Sequence, residues 1–271
     1  EDIRTFTGGG GLEISTNSKV IQGSGLGTSS ILAASLLKLL YRLSNHPYGY
    51  FENEYPGLYD QSILLEQSFG LNSGWQDARG ACGGPSAIKD FYAPATDSLP
   101  TPERRFIKDI DEAAFVDRVI LFDTGIARSA TRGLNEVLDV YLTRDTMRYR
   151  GIRGSLDIHD EMVAALQNGD YTQLGTLSTK YWDFRCLLDP GATNEAIQYL
   201  FDSPEIKTLS DGGLLTGAGG GGFALIIARN GCNSQLRELL NSLKNRPEYS
   251  KSGVVSYGLN STGIKLTETS K

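Results

Sequence analysis

The sequence is poor in the residues that build disulfide frameworks and metal sites. Its 271 residues include three cysteines, at positions 82, 186 and 232, and two histidines, His46 and His159. The cysteines are odd in number and far apart, which predicts neither a disulfide framework nor a cysteine metal site. Three reduced thiols are typical of a cytoplasmic protein. Neither histidine has a second ligand residue at metal-binding spacing, so both are predicted to be surface or structural residues.

The sequence also lacks long apolar runs and an excess of positive charge. No apolar stretch approaches the roughly 20 residues that span a bilayer, and no basic region precedes an apolar stretch at the N-terminus, so neither a membrane span nor a signal peptide is predicted. The net charge of -6 argues against a nucleic-acid partner, whose phosphates require a basic surface. A negative net charge is compatible with a local site that binds a single nucleotide.

The composition is that of an ordinary globular protein, with 39% hydrophobic and 21% charged residues. A change from loop-rich to helix-rich sequence near residues 115–118 predicts two domains, at 1–117 and 118–271. Apolar periodicity and breaker residues predict helices over 29–41, 58–67, 129–145, 155–168, 171–187, 192–201 and 233–243. They predict strands near 12–16, 87–88, 119–125, 223–228 and 254–257, the third of which stops at a turn. The helix over 29–41 is apolar almost throughout and is predicted to be buried.

One glycine-rich segment runs directly into that apolar helix. Glycines let backbone N–H groups turn toward an anion, and a helix N-terminus adds partial positive charge. The hydroxyls that follow could reach a phosphate oxygen or Mg²⁺. The segment, called here the first loop, is therefore a candidate phosphate site, although a glycine-rich turn capped by serines remains open. It comprises Gly23, Ser24, Gly25, Leu26, Gly27, Thr28, Ser29 and Ser30.

A second glycine-rich segment immediately precedes the predicted strand at 223–228. So many glycines carry a large entropic cost unless the backbone must approach something closely. A flexible linker is the alternative, but linkers are usually followed by polar sequence. This segment, called here the glycine cluster, comprises Gly217, Ala218, Gly219, Gly220 and Gly221.

Two carboxylates lie between the glycine-rich segments. Glu66 falls on the second predicted helix, and Asp77 follows eleven residues later in an irregular region. Phosphoryl transfer uses a carboxylate to orient or deprotonate the attacking hydroxyl and another to hold Mg²⁺. The spacing alone also allows Glu66 to be a solvated helix residue.

Taken together, these segments resemble the GHMP kinases, and the closer resemblance is to the L-fucokinases. The first loop, Leu65-Glu66-Gln67, Gly74-Trp75-Gln76-Asp77, Asp123-Thr124-Gly125 and the glycine cluster occur in the same order and at similar spacing as in that family. Ala78 is a departure, because fucokinases usually have Gln there. The resemblance covers nearly the whole chain, and it implies that a further segment of the same polypeptide, with the family's first motif, precedes Glu1.

The resemblance implies an α+β fold, with a partial N-terminal domain like ribosomal protein S5 domain 2 and a ferredoxin-like C-terminal domain. It implies that Asp77 is the catalytic residue, that Ser30 and Glu66 are the Mg²⁺ partners, and that the first loop and the glycine cluster bind ATP. The implied reaction is phosphorylation of the anomeric hydroxyl of L-fucose. Another sugar kinase, acting on a heptose phosphate or arabinose, is an alternative. A nucleotide-binding pseudokinase and a purely structural domain are alternatives of other classes.

Overall fold

The computed structural model describes residues 5, 7–20, 23–44, 56–70, 74, 76–81, 83–92, 103–127, 139–140 and 142–269. The chain forms two compact units. The first contains residues 1–22, 27–106 and 260–271, and the second contains residues 23–26 and 107–259. These bounds differ from those of the predicted domains, because residues 107–117 group with the second unit and the C-terminal residues with the first.

The described residues of the first unit form three helices and a two-stranded sheet. The helices are α1 (Thr28–Leu43), α2 (Pro56–Ser68) and α3 (Gln76–Gly80), and the strands are β1 (Ile88–Tyr92) and β2 (Glu103–Ile107), which reaches the first residue of the second unit. Its core is small, with Ala34, Leu58, Tyr59 and Ala78 at its centre. The predicted helices over 29–41 and 58–67 and the strand near 88 are confirmed, whereas α3 and β2 were not predicted.

The end of the chain folds back onto α1 through polar contacts. The buried ammonium of Lys38 donates to the carbonyl of Ile264 at 2.8 Å. Arg42 pairs with Glu268 at 2.8 Å, and Ile264 packs against the small core. A buried ammonium requires acceptors, so the C-terminal segment is an integral part of the first unit.

Two sequence predictions for this unit are wrong. Helix α1 is only partly buried, because one side packs on α2 and α3 while Ile31, Leu32, Leu40 and Leu43 are exposed. The expected strand at 12–16 has no regular secondary structure and is exposed, and it pairs with no strand among the described residues. A strand is stable only when a neighbouring strand pairs with its backbone N–H and C=O groups. Alternation of apolar and polar side chains does not show whether such a neighbour is present.

The second unit contains a four-stranded sheet and most of the helices. Its strands are β3 (Val119–Asp123), β4 (Ser210–Leu215), β5 (Phe223–Ala228) and β6 (Gly253–Val255). Its helices are α4 (Glu112–Arg118), α5 (Thr146–Asp157), α6 (His159–Gln167), α7 (Tyr171–Leu188), α8 (Glu195–Asp202), α9 (Pro204–Leu209) and α10 (Asn233–Ser242).

The sheet is antiparallel, with the spatial order β4-β5-β3-β6. The inner strands β3 and β5 are the most apolar, and Ile120, Phe122 and Ile226 from them lie in the core with Leu236 and Leu240 of α10. Strands that are buried on both faces are expected to be apolar without alternation, which explains why these two were easily predicted.

The predicted elements of this unit are largely confirmed. The predicted helices at 171–187, 192–201 and 233–243 all have counterparts, and so do the predicted strands at 119–125, 223–228 and 254–257, the first of which ends at Asp123. The single helix expected at 155–168 is interrupted at Ile158, where α5 ends and α6 begins. Most of the helix expected at 129–145 lies outside the described residues. None of the helices in the described part of the chain is long and apolar enough to cross a membrane.

Candidate active site

The beginning of the first loop is fixed within the second unit. Ser24 is buried, and its hydroxyl accepts a hydrogen bond from the backbone N–H of Leu26 at 3.3 Å. Its carbonyl accepts from the backbone N–H of Phe223 at 3.0 Å and from the Thr216 hydroxyl at 3.3 Å. The structure thus brings this part of the first loop to the start of β5, next to the glycine cluster.

The glycine cluster is held by several backbone contacts, so the linker alternative is wrong. The Arg185 guanidinium donates to the carbonyl of Ala218 at 3.0 Å, and the Asn194 amide donates to the carbonyl of Gly220 at 3.1 Å. The N–H of Gly220 donates to the carbonyl of Ala192. The glycine cluster is therefore an ordered turn that leads into β5.

Gly222, directly after the cluster, has no space for a side chain. Its φ is 80°, and a Cβ atom there would lie 2.5 Å from the carbonyl oxygen of Ser24. We expect Gly222→Ala to lower the free energy of unfolding by about 2–4 kcal/mol, from backbone strain and the displaced loop together. Urea denaturation measures the loss.

The matched control for this variant is Gly169→Ala. Gly169 has a φ of 66°, but a Cβ there would meet no atom within 4 Å. This control therefore measures the cost of the left-handed backbone alone, about 1 kcal/mol. Equal losses in the two variants would show that the close approach to Ser24 does not constrain the loop.

The end of the first loop belongs to the first unit and begins α1. Gly27 is the N-cap residue, with a φ of 65°, and no side chain makes a capping hydrogen bond there. No serine side chain therefore caps α1, whereas the Ser24 hydroxyl accepts from Leu26 within the turn that precedes the helix. The helix that follows has 16 residues, long enough to carry the partial positive charge that favours an anion at its N-terminus.

Ser30 and Glu66 form a buried pair. Both residues are almost inaccessible to solvent, and the Ser30 hydroxyl donates to Glu66 Oε2 at 2.6 Å. Glu66 Oε1 is buried and has no hydrogen-bond partner among the described residues. Burial of a carboxylate oxygen without a donor is costly, so the reading of Glu66 as a solvated helix residue is wrong.

The open oxygen of Glu66 and the hydroxyl of Ser30 suit a hard divalent cation. Mg²⁺ prefers oxygen ligands and is usually held by one or two carboxylates together with phosphates and water. No group of three or more acidic, histidine or cysteine ligands occurs in the described part of the chain. The donor set therefore fits Mg²⁺ that arrives with a nucleotide better than a cation held by protein ligands alone.

Asp77 lies in the same unit, in the first turn of α3 and half-buried. A Cβ atom on Gly27 would lie 2.7 Å from the Asp77 carboxyl carbon, so this carboxylate contacts the backbone at the start of α1. Burial and the nearby charge of Glu66 raise the pKa of Asp77. A carboxylate with a raised pKa is a stronger base, which suits proton transfer from a hydroxyl.

The neighbours of Asp77 hold α3 in place. Ala78, which stands where fucokinases usually have Gln, is fully buried beside Leu58 and Tyr59. Its small apolar side chain is part of the core of the first unit. Arg79 pairs with Asp60 of α2 at 2.5 Å. The sequence analysis missed this ion pair, since two charges nineteen positions apart give no signal in the sequence. Trp75 lies outside the described residues.

Comparisons with known proteins agree with these observations. Residues 2–84 match the model of the GHMP kinases N terminal domain. The chain is 33% identical over 250 residues to the bifunctional fucokinase/GDP-fucose pyrophosphorylase of Arabidopsis thaliana, covering 90% of this chain and 22% of that protein. It is 29% identical over 233 residues to the L-fucokinase/L-fucose-1-P guanylyltransferase of Bacteroides fragilis, covering 85% of this chain and 23% of that protein.

The chain thus spans about a fifth of the length of the curated relatives it matches. Among solved structures, the Lactococcus lactis galactokinase complexed with galactose superposes with a TM-score of 0.60 at 17% identity, covering 96% of this chain and 73% of that chain. This similarity shows a shared fold. Residues 2–84 therefore match the GHMP kinases N terminal domain, and the chain is similar in sequence to bifunctional L-fucokinases and in fold to a galactokinase.

Proposed function

We propose that the chain carries the kinase activity of an ATP- and Mg²⁺-dependent enzyme that phosphorylates the anomeric hydroxyl of L-fucose. The observation that carries the proposal is the grouping of Asp77, Glu66 and Ser30 at the start of α1. A hydroxyl-activating carboxylate and a cation-type pair beside a helix N-terminus are the parts that phosphoryl transfer needs. The fucokinase relatives support the choice of sugar.

In this proposal each residue has a defined task. The backbone of the first loop and the glycine cluster binds the phosphates of ATP. The Asp77 carboxylate orients the anomeric hydroxyl and accepts its proton as the oxygen bonds to the γ-phosphorus and ADP leaves. Ser30 and Glu66 would hold Mg²⁺, which neutralises phosphate charge when bound. Arg79 and Asp60 keep α3, and with it Asp77, in position.

The domain assignment is also a proposal. We assign residues 1–117 to a domain of the ribosomal S5 domain 2 type and residues 118–271 to a ferredoxin-like domain. The antiparallel order β4-β5-β3-β6 supports the second assignment, together with the chain order in which helices separate β3 from β4, β5 follows β4 directly, and α10 separates β5 from β6. The bifunctional relatives support the expectation of an upstream segment of the same polypeptide. A cytoplasmic location stays a prediction based on the scattered cysteines.

A kinase for another sugar is the second candidate, because the fold is shared with a galactokinase. The two are separated by incubating the protein with ATP, Mg²⁺ and a panel that contains L-fucose, D-galactose, L-arabinose and a heptose phosphate, and measuring ADP release. The proposal predicts the highest kcat/KM for L-fucose. Preferential turnover of another member of the panel would overturn the choice of sugar and leave the kinase assignment intact.

A further inference from the structure

The second unit contains a cavity of about 660 Å³ that the proposed reaction does not use. It lies against α7, α8, α9 and β4, and its apolar lining comprises Trp182, Leu200, Phe201 and Ile226, of which Phe201 is the most accessible because the other three belong to the core. It includes no residue of the first loop or the glycine cluster. Its volume lies within the range of small-molecule sites, which combine apolar walls with a few polar groups.

One polar group in this cavity is unsatisfied. Thr193 lines the cavity, and its hydroxyl oxygen is buried with no hydrogen-bond partner among the described residues. Native structures pair nearly all buried polar atoms, so an orphaned hydroxyl indicates a missing partner. The amide of Gln198, which also lines the cavity, offers a further donor and acceptor, whereas the Thr179 hydroxyl already donates to the carbonyl of Gly175 and accepts from the N–H of Gly213.

The charges around the cavity are balanced. Lys207 pairs with Asp202 at 2.8 Å, and Lys180 and Asp183 of α7 add one charge of each sign. Burial and the charge of Asp202 raise the pKa of Asp183. A ligand with a single charge would meet a like charge in this site. Hydroxyl groups can donate to carboxylates and accept from ammonium and amide groups in the same site.

We propose that this cavity binds a neutral polyhydroxylated molecule of sugar size, separate from the candidate active site. The ring of Phe201 contacts the C–H groups of the ligand, and Thr193 and Gln198 hydrogen-bond to its hydroxyls. Asp183 and Lys180 bind hydroxyls from α7. A free sugar is the chemical class that matches this combination of balanced charge, buried hydroxyl and apolar wall.

The cavity is directly connected to the glycine cluster. Thr193 lies between Ala192, whose carbonyl accepts from the N–H of Gly220, and Asn194, whose amide donates to the carbonyl of Gly220 at 3.1 Å. Trp182 and Arg185 share α7, and Arg185 donates to the Ala218 carbonyl. A ligand that orders Thr193 therefore alters the constraints on the cluster. This makes the cavity an effector site, a role that rests on the proposed phosphate binding by the cluster.

NMR spectroscopy of the chain tests the proposal with L-fucose, D-galactose and D-mannose as probes, at up to about 50 mM to reach weak ligands. At least one sugar is expected to shift the indole N–H signal of Trp182 and the backbone amides of Thr193 and Gly220. Thr193→Val should weaken this binding about five-fold, the loss of one hydrogen bond. Its thermal midpoint should not fall, because the removed hydroxyl has no partner in the free protein.

The matched control is Thr208→Val, since Thr208 is exposed on α9 and does not line the cavity. It should leave sugar affinity unchanged. No shift at Trp182 with any sugar, a response to inorganic phosphate alone, or equal affinity in Thr193→Val would overturn the proposed site. A shift at Trp182 without one at Gly220 would overturn the effector role. The NMR signals report binding without turnover. A failure of sugar binding at the cavity can therefore be distinguished from a failure of the proposed kinase reaction.

Discussion

Asp77→Asn is expected to lower kcat for ATP-dependent sugar phosphorylation by about 10²-fold or more, the usual contribution of a positioned general base. The amide keeps the size of the carboxylate but cannot accept the proton of the attacking hydroxyl. Steady-state kinetics in a preparation that phosphorylates L-fucose measure the loss. The affinity for ATP should change little, because the first loop and the glycine cluster are intact.

The control for this variant is Asp157→Asn, which changes an exposed carboxylate at the end of α5 and should leave kcat unchanged. If Asp77→Asn retains turnover within a few-fold of the parent, Asp77 is not the base. If the parent binds ATP but phosphorylates no sugar of the panel, the pseudokinase alternative is favoured over the proposed reaction.

The same variant should be more stable than the parent at neutral pH. Burial and Glu66 raise the pKa of Asp77 in the folded chain, so the ionised form is less favourable there than in the unfolded chain. The resulting destabilisation is absent below the unfolded pKa, develops as pH rises through the folded pKa, and is fully present above it. Unfolding of Asp77→Asn and the parent should therefore differ at pH 7 and converge in acid, which thermal denaturation across pH can measure.

Glu66→Gln is expected to raise the Mg²⁺ concentration needed for half-maximal activity about ten-fold or more, equivalent to about 1.4 kcal/mol of cation affinity. The amide oxygen can still accept from Ser30, but the charged oxygen that would meet the cation is lost. Calorimetric titration of ATP with and without Mg²⁺ provides a second readout. In the parent Mg²⁺ should strengthen ATP binding, and in the variant most of this increase should disappear.

A loss of folding would not explain this result, because Glu66→Gln removes a buried charge whose Oε1 has no partner among the described residues. The thermal midpoint of the variant should equal or exceed that of the parent. The matched control is Glu161→Gln on α6, which alters an exposed carboxylate in the second unit. An unchanged Mg²⁺ requirement in Glu66→Gln would show that Glu66 has only a structural role.

The sequence pattern predicted the helices and strands whose conformation is determined mainly by residues close to them in the chain. The uninterrupted apolar runs at 119–122 and 223–228 correspond to the inner strands of the sheet. Strand β4 was missed because Asp211, Gly212 and Gly213 favour a turn locally, and pairing with β5 overrides that preference. The exposed side of α1 was missed for the converse reason, since apolarity does not reveal which neighbours are present.

The residues of the candidate site were predicted from their type and spacing in the sequence. The contacts that hold these residues in position were not predicted. Glycines followed by a helix indicate an anion site, and Glu66 and Asp77 are recognisable from the family pattern. The Ser30–Glu66 hydrogen bond, the Asp60–Arg79 pair and the contact of Asp77 with Gly27 depend on how separate helices pack. Thr193 gave no signal at all, because an unsatisfied hydroxyl is visible only when its surroundings are known.

Phosphorus NMR of a reaction that contains ATP, Mg²⁺ and L-fucose tests the central claim most directly. The account predicts a sugar phosphate signal coupled to the anomeric proton, which appears together with ADP and is abolished in Asp77→Asn. Formation of inorganic phosphate without a sugar phosphate, or a phosphate on a different hydroxyl of fucose, would contradict it.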